Sequence, residues 1–123
     1  MNDDTTDRAW HTICTLYAEP ALAKELLHRQ DHEGLDVVLH LFGRWAEAEG
    51  RPLDPEALAR ADAHVASWRE QVVRPLRRLR RAMKPMESDD APGIAAVRRQ
   101  VQAAELAAER AELEMLCAWL RTQ

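Results

Sequence analysis

Eight apolar residues, Leu58, Ala61, Val65, Trp68, Val72, Leu76, Leu79 and Met83, recur at steps of three and four through the middle of the chain. A strand turns every second side chain to the opposite face, so only a helix can place all eight on one side. Asp54 is set to cap that helix, Pro55 suits its first position, and Glu56 favours its positive end. Pro75 falls inside the run, where its ring removes the backbone bond to Gln71 and predicts a kink. The apolar stripe stays in register across the proline. One bent helix reaching about Lys84 is therefore expected, not two.

The other segments follow the same period. Trp10, Ile13, Cys14 and Tyr17 predict a helix over residues 7–18 with Thr5 or Thr6 as its cap. Pro20 opens a second helix, with Leu22, Leu26 and Leu27 on its apolar face. Gly34 should end it, because glycine enters the left-handed cap without a Cβ clash. Asp36 is placed to cap a third helix bearing Val37, Val38, Leu39, Leu41, Phe42, Trp45 and Ala46, which should be the most buried element. Gly50 closes that helix, and a last one runs from Ile94 to about Arg121. No alternating strand pattern and no internal repeat occurs. The expected fold is all-α, a five-helix bundle with a long Pro-kinked fourth helix and a long C-terminal helix. It should form a single domain over 1–123, with residues 1–6 disordered and 85–93 a mobile loop.

A chain of 123 residues, 46% hydrophobic, can bury about two thirds of its unfolded surface, so neither disulfide nor metal is needed for folding. No run of about 18 apolar residues is present, which argues against a membrane span. The acidic opening "MNDDTTDR" lacks the apolar stretch of a signal peptide. Cys14 and Cys117 belong to no CxxC and lie in helical patterns, which reads as two buried thiols in a reducing cytoplasm.

The segment "HRQDHEGLDVVLHLFGRW", His28 to Trp45, concentrates metal-binding side chains. His28, His32, Asp36 and His40 are each four apart and would align on one continuous helix. Gly34 interrupts that helix, and a divalent site needs three or four converging ligands. The segment therefore reads as punctuation between two helices. Asp31, His32, Asp36 and His40 are the candidates for the sharper reading, a metal-dependent enzyme. There is no P-loop, GxSxG or HExxH motif. Serine occurs only at Ser67 and Ser88, and the Asp89–Asp90 pair lies in the expected loop. No catalytic residue, metal or cofactor is assigned.

The stretch "YAEPALAKELLHRQDHEGLDVVLHLF" with Trp45, then "WREQVVRPLRRLRR" and "AELAAER", resembles a family of small proteobacterial proteins defined by a conserved domain of unknown function. The likeness runs from Trp10 to about Arg110. Its most specific part is Gln30, Asp31, Gly34, Asp36, Val37, Leu39, Leu41, Phe42 and Trp45. Val38 and His40 stand where the family pattern has Asn and Leu, and His28 and His32 fall outside that pattern. The resemblance implies a bacterial cytoplasmic protein and supplies no reaction, cofactor or partner.

The net charge of −4 conceals a separation. Between Val65 and Lys84, seven basic residues face Glu70 alone, so this segment carries +6 and the remainder −10. Arg74, Arg77, Arg78, Arg81 and Lys84 gather opposite the apolar stripe and are the anion-binding candidates. Glu105, Glu109 and Glu112, on one arc of the last helix, could instead balance them from within. Nucleic acid is a possible partner but not the favoured one, because the chain is acidic and lacks interleaved aromatic residues.

The last helix has two apolar faces. Val97, Val101, Ala104, Ala108, Ala111 and Met115 recur at heptad-like steps and are expected to pack inward. Leu106, Leu113 and Leu120, with Leu116 and Cys117, point to the other side and are the candidates for an interface. Self-pairing would hide them, which predicts a homodimer. The competing arrangement has the N-terminal helices covering both faces. These readings favour a non-enzymatic cytoplasmic binding or adaptor protein, followed by a binder of nucleic acid or an anionic ligand.

Overall fold

The computed structural model describes residues 4–123, and the first three residues of the expected disordered N-terminus lie outside that range. Six α-helical segments, α1 (Thr5–Tyr17), α2 (Pro20–Glu33), α3 (Val37–Ala48), α4 (Pro55–Trp68), α5 (Arg74–Met83) and α6 (Pro92–Arg121), make up the fold. A π turn over Arg69–Val73 joins α4 to α5 without a break, so five rods are formed, and no strand occurs among the described residues. The chain is all-α with a long fourth helix and a long C-terminal one.

Local chemistry sets most boundaries. Gly34 ends α2 in the left-handed region at φ 69°, and the Leu35 N–H returns to the Arg29 carbonyl at 3.3 Å. Asp36 Oδ1 accepts from the Leu39 N–H at 3.1 Å, and Asp54 Oδ1 from the Ala57 N–H at 2.8 Å. Three ends differ from expectation. Thr5 and Thr6 lie inside the first turn of α1 behind Asp4, rather than in a disordered tail. The expected loop is shortened at both ends, by a 3₁₀ turn over Lys84–Met86 and by α6 starting at Pro92. Proline suits that first position because its missing N–H would have no helical partner there.

Pro75 is accommodated by winding. The Arg74 N–H donates to the Arg69 carbonyl, five residues back, so the π turn opens the helix just before the proline ring would meet the carbonyl of Gln71.

The contacts separate into two compact units where length alone predicts one domain. The first comprises Met1–His64 with Leu113–Gln123. Its core is built on α3, which packs against α1 and α2. Leu41, Phe42 and Trp45 are buried there, with Ala9, Ile13, Leu26 and Ala61. Phe42 and Trp45 stack obliquely, ring centres 6.0 Å apart. Burying each large side chain of this kind stabilises by about 1.5–3 kcal/mol. Arg51 Nη2 donates to the Leu120 carbonyl at 3.0 Å, beside the Gln123 N–H on the same oxygen, and so places a cation at the negative end of α6. Cys117 is buried, but Cys14 is exposed. The inward line of α1 is Ala9 and Ile13, one turn apart, and the Cys14 side chain lies past its edge.

The second unit, Val65–Glu112, is a hairpin of helices. Trp68 Nε1 donates to the Ala108 carbonyl at 2.9 Å, Arg77 and Arg80 meet Glu105, and Arg98 Nε donates to the Arg80 carbonyl at 3.1 Å. Residue numbers rise on one arm as they fall on the other, so the arms are antiparallel. Only Val65, Val73 and Ala108 are buried apolar residues of this unit, and none lies in α5.

Candidate interaction surface

The histidine-rich segment does not assemble a site. His28 and His32 lie one turn apart on exposed α2 positions, their rings 4.4 Å from centre to centre. Asp31 is exposed near the end of α2, and Asp36 is spent on the cap of α3. His40 is half-buried on α3. Its pKa is held below the ordinary 6.5, first by burial and then by Arg29 and Arg44, with Glu25 opposing. Among the described residues, no three His, Cys, Asp or Glu side chains come together in a way that could hold a metal ion.

The basic stripe divides into an inner and an outer set. Arg77 Nε lies 3.3 Å from Glu105 Oε2, and Arg80 reaches the same carboxylate with Nε on Oε1 and Nη2 on Oε2. Glu105 is buried, and Arg77 is only 16% exposed. Two guanidinium groups sharing one enclosed carboxylate form the polar seam of the hairpin. Arg77 is thereby withdrawn from the anion-binding candidates, because its donors face the neighbouring helix. Arg74 pairs with Glu70 at 2.7 Å, and Lys84 with Glu87 at 3.4 Å. Arg78, Arg81 and Lys84 remain exposed.

The seam also orients the two arms. At about 100° per residue, Leu76, Leu79 and Met83 lie roughly 70–130° to one side of the direction shared by Arg77 and Arg80. Arg74, Arg78 and Arg81 lie about as far to the other. On α6, measured from the inward residues Arg98, Glu105 and Ala108, Val97 and Ala104 turn about 70–90° one way, and Leu106 and Arg99 about 110–130° the other. In an antiparallel pair equal senses of rotation land on the same side. The hairpin therefore has a mainly basic side, with Arg74, Arg78, Arg81, Arg99 and Leu106 and the half-buried Glu109 at its inner edge, and a side without charge. The uncharged side carries Leu76, Leu79, Ala82 and Met83 from α5. Val97, Gln100, Val101, Ala104, Ala107 and Ala111 supply its α6 half. Leu79 and Val97 are each 49% exposed.

This reverses the expected roles of the two faces of α6. Leu113, Leu116, Cys117 and Leu120 are buried within the chain's own first unit and offer no outward surface. Of the interface candidates only Leu106 stays outside, at 56% exposure. The stripe expected to pack inward is the open one: Val97 and Ala104 are exposed, Val101 and Ala111 half-buried, and Ala108 alone is enclosed between Val97 and Ala111. Leucines remove more apolar surface from water than alanines do, so the leucine face gains more from the interior. Side-chain size along each stripe was the available signal; periodicity rated the two as equivalent. Ala82, Gln100 and Ala107 on the uncharged side are surface residues that the linear pattern did not single out, and Leu79, set on the apolar stripe by its spacing, is half-exposed there.

No helix among the described residues is long and apolar enough to cross a membrane. Over residues 8–116 the chain matches a family model described as a protein of unknown function, DUF2390. No curated protein matches it, and no solved structure does.

Proposed function

We propose that this chain, which belongs to the DUF2390 family, is a non-enzymatic cytoplasmic binding or adaptor protein whose working surface is the uncharged side of the Val65–Glu112 hairpin. The observation that carries the reading is exposure of Leu79 and Val97 on a side where neither arm places a charge. In a chain that is 31% charged, such a side costs free energy in water and is offset when another surface covers it. A free, exposed thiol at Cys14 fits a reducing compartment.

Co-purification from native lysate tests this reading with wild type beside a Leu79→Glu/Val97→Glu variant. Any species held by the uncharged side, including further copies of the chain, should be lost from the variant. Identical sets of bound species from both proteins would overturn the proposal.

A second reading keeps the other side of the hairpin in play. Arg78, Arg81 and Arg99 are exposed together there and could contact phosphates of an anionic ligand or nucleic acid. Binding of labelled nucleic acid or inorganic phosphate should then weaken as salt rises, and Arg78→Ala/Arg99→Ala should flatten that slope. Absence of binding at low salt would remove this reading.

A further inference from the structure

We infer that the uncharged side of the hairpin is covered by a second copy of this chain, the two hairpins packing face to face about a two-fold axis. The inference rests on the uncharged side being the working surface, and it adds the identity of the occupant.

Three observations select a second copy. The first is the absence of charge itself. An unlike partner is ordinarily selected by complementary charges, and between Val97 and Ala111 the arc of α6 on the uncharged side offers none, Arg99 and Arg110 turning to the other side. A surface that is neutral throughout is complementary to itself, which a two-fold contact requires because the same patch serves both copies.

The second observation is the gradient of side-chain size along that arc. Val97, at one end and half-exposed, is followed by Gln100 and the half-buried Val101, and then by the exposed Ala104 and Ala107. If the α6 helices of two copies cross in opposite directions with the axis near Gln100, each Val97 falls over the partner's shallow alanine end. Bulk meets hollow twice, and alanines allow close approach of the helices, about 8 Å between axes. The amide of Gln100, next to the axis, can donate to and accept from its symmetry mate. Arg74, Arg78 and Arg81 lie on the opposite side of the hairpin, so this contact does not press like charges together.

Area is the third. From Ile94 to Ala111 α6 spans about 27 Å at 1.5 Å per residue, and a helix pair is roughly 20 Å wide. Each copy thus presents on the order of 500 Å² in projection, and the pair roughly 1,000 Å² before side-chain relief is counted. Stable interfaces begin at about 1,200 Å². The expected assembly is a reversible dimer rather than a permanent one.

Sedimentation equilibrium of the full chain across a wide concentration range tests the inference. Wild type should rise from the protomer mass of 14.0 kDa toward twice that value. The Val97→Glu/Ala104→Glu variant should stay at the protomer mass with an unchanged helical circular-dichroism spectrum. A wild type that never leaves 14.0 kDa, or a well-folded variant that associates as wild type does, overturns it. A photo-crosslinking residue in place of Gln100, in cells producing the full chain, separates this inference from the broader reading and needs no folded double variant. An adduct with a second copy supports the inference. An adduct solely with an unlike protein overturns the second copy while retaining the surface, and no adduct overturns both.

Discussion

The two units of this molecule are held together by different physics. Around α3, which packs against α1 and α2, unit 1 encloses Leu41, Phe42, Leu113 and Leu116, and apolar burial carries the stability. The hairpin has two arms and no third layer of its own. It encloses three apolar residues, and its register is set by Glu105 between Arg77 and Arg80 and by the Trp68 bond to Ala108. Two helices cannot surround a core, because each has only one neighbour. A polar seam can specify how they align, but it leaves the remaining apolar side chains outward. The surface proposed to work is the one that this economy of packing leaves open.

Substitutions at the two centres should separate these modes. Phe42→Ala should cost about 3–5 kcal/mol in urea unfolding, since an enclosed ring leaves a cavity that α3 cannot close. Glu105→Ala should cost about 3 kcal/mol, because two guanidinium groups are left partly enclosed without their carboxylate. Its effect should be local: amide exchange should rise in α5 and the facing part of α6, while α3 stays protected. Uniform loss of protection in both units would erase the distinction drawn above.

Smaller effects sharpen it. Asp36→Ala should destabilise by about 1 kcal/mol through loss of the α3 cap, as read from the urea midpoint. His40 adds a pH dependence that belongs to the first unit. Its folded pKa lies below the ordinary 6.5, so the unfolded chain binds the proton more readily. The associated stability is complete above 6.5 and is lost as pH falls from there through the folded value. His40→Gln should flatten the urea midpoint across that interval, and an unchanged slope would remove the assignment. Val97→Glu should shift the stability of the isolated protomer by only about 0.5 kcal/mol, as expected at a half-exposed surface position.

Much of the fold was legible residue by residue. Asp36, Asp54 and Gly34 act on backbone groups one to three positions away, so their roles follow from local chemistry without knowledge of the tertiary arrangement. The interruption at Pro75 was legible too, but its form was not. The clash is relieved by a π turn whose Arg74 N–H reaches back five residues, and a proline in the sequence does not specify that winding. The charge balance of the basic segment could be anticipated from the acidic arc of α6. That Glu105 would take both Arg77 and Arg80 depends on the axial register of the two arms. Cys14 shows the limit at one position, since a stripe four residues long tolerates a rotation that moves its edge into solvent.

The sequence alone determined most of the helix boundaries, which faces are apolar, and that no alternating pattern competes with them. These properties are set by neighbours within about one helical turn. Only the tertiary structure decided which apolar face of α6 is enclosed, that the chain divides between an apolar centre and a polar seam, and which arginines remain outside. Those outcomes depend on competition between surfaces distant in sequence. Burial goes to whichever surface removes most apolar area from water, and that comparison is made only when the chain has folded.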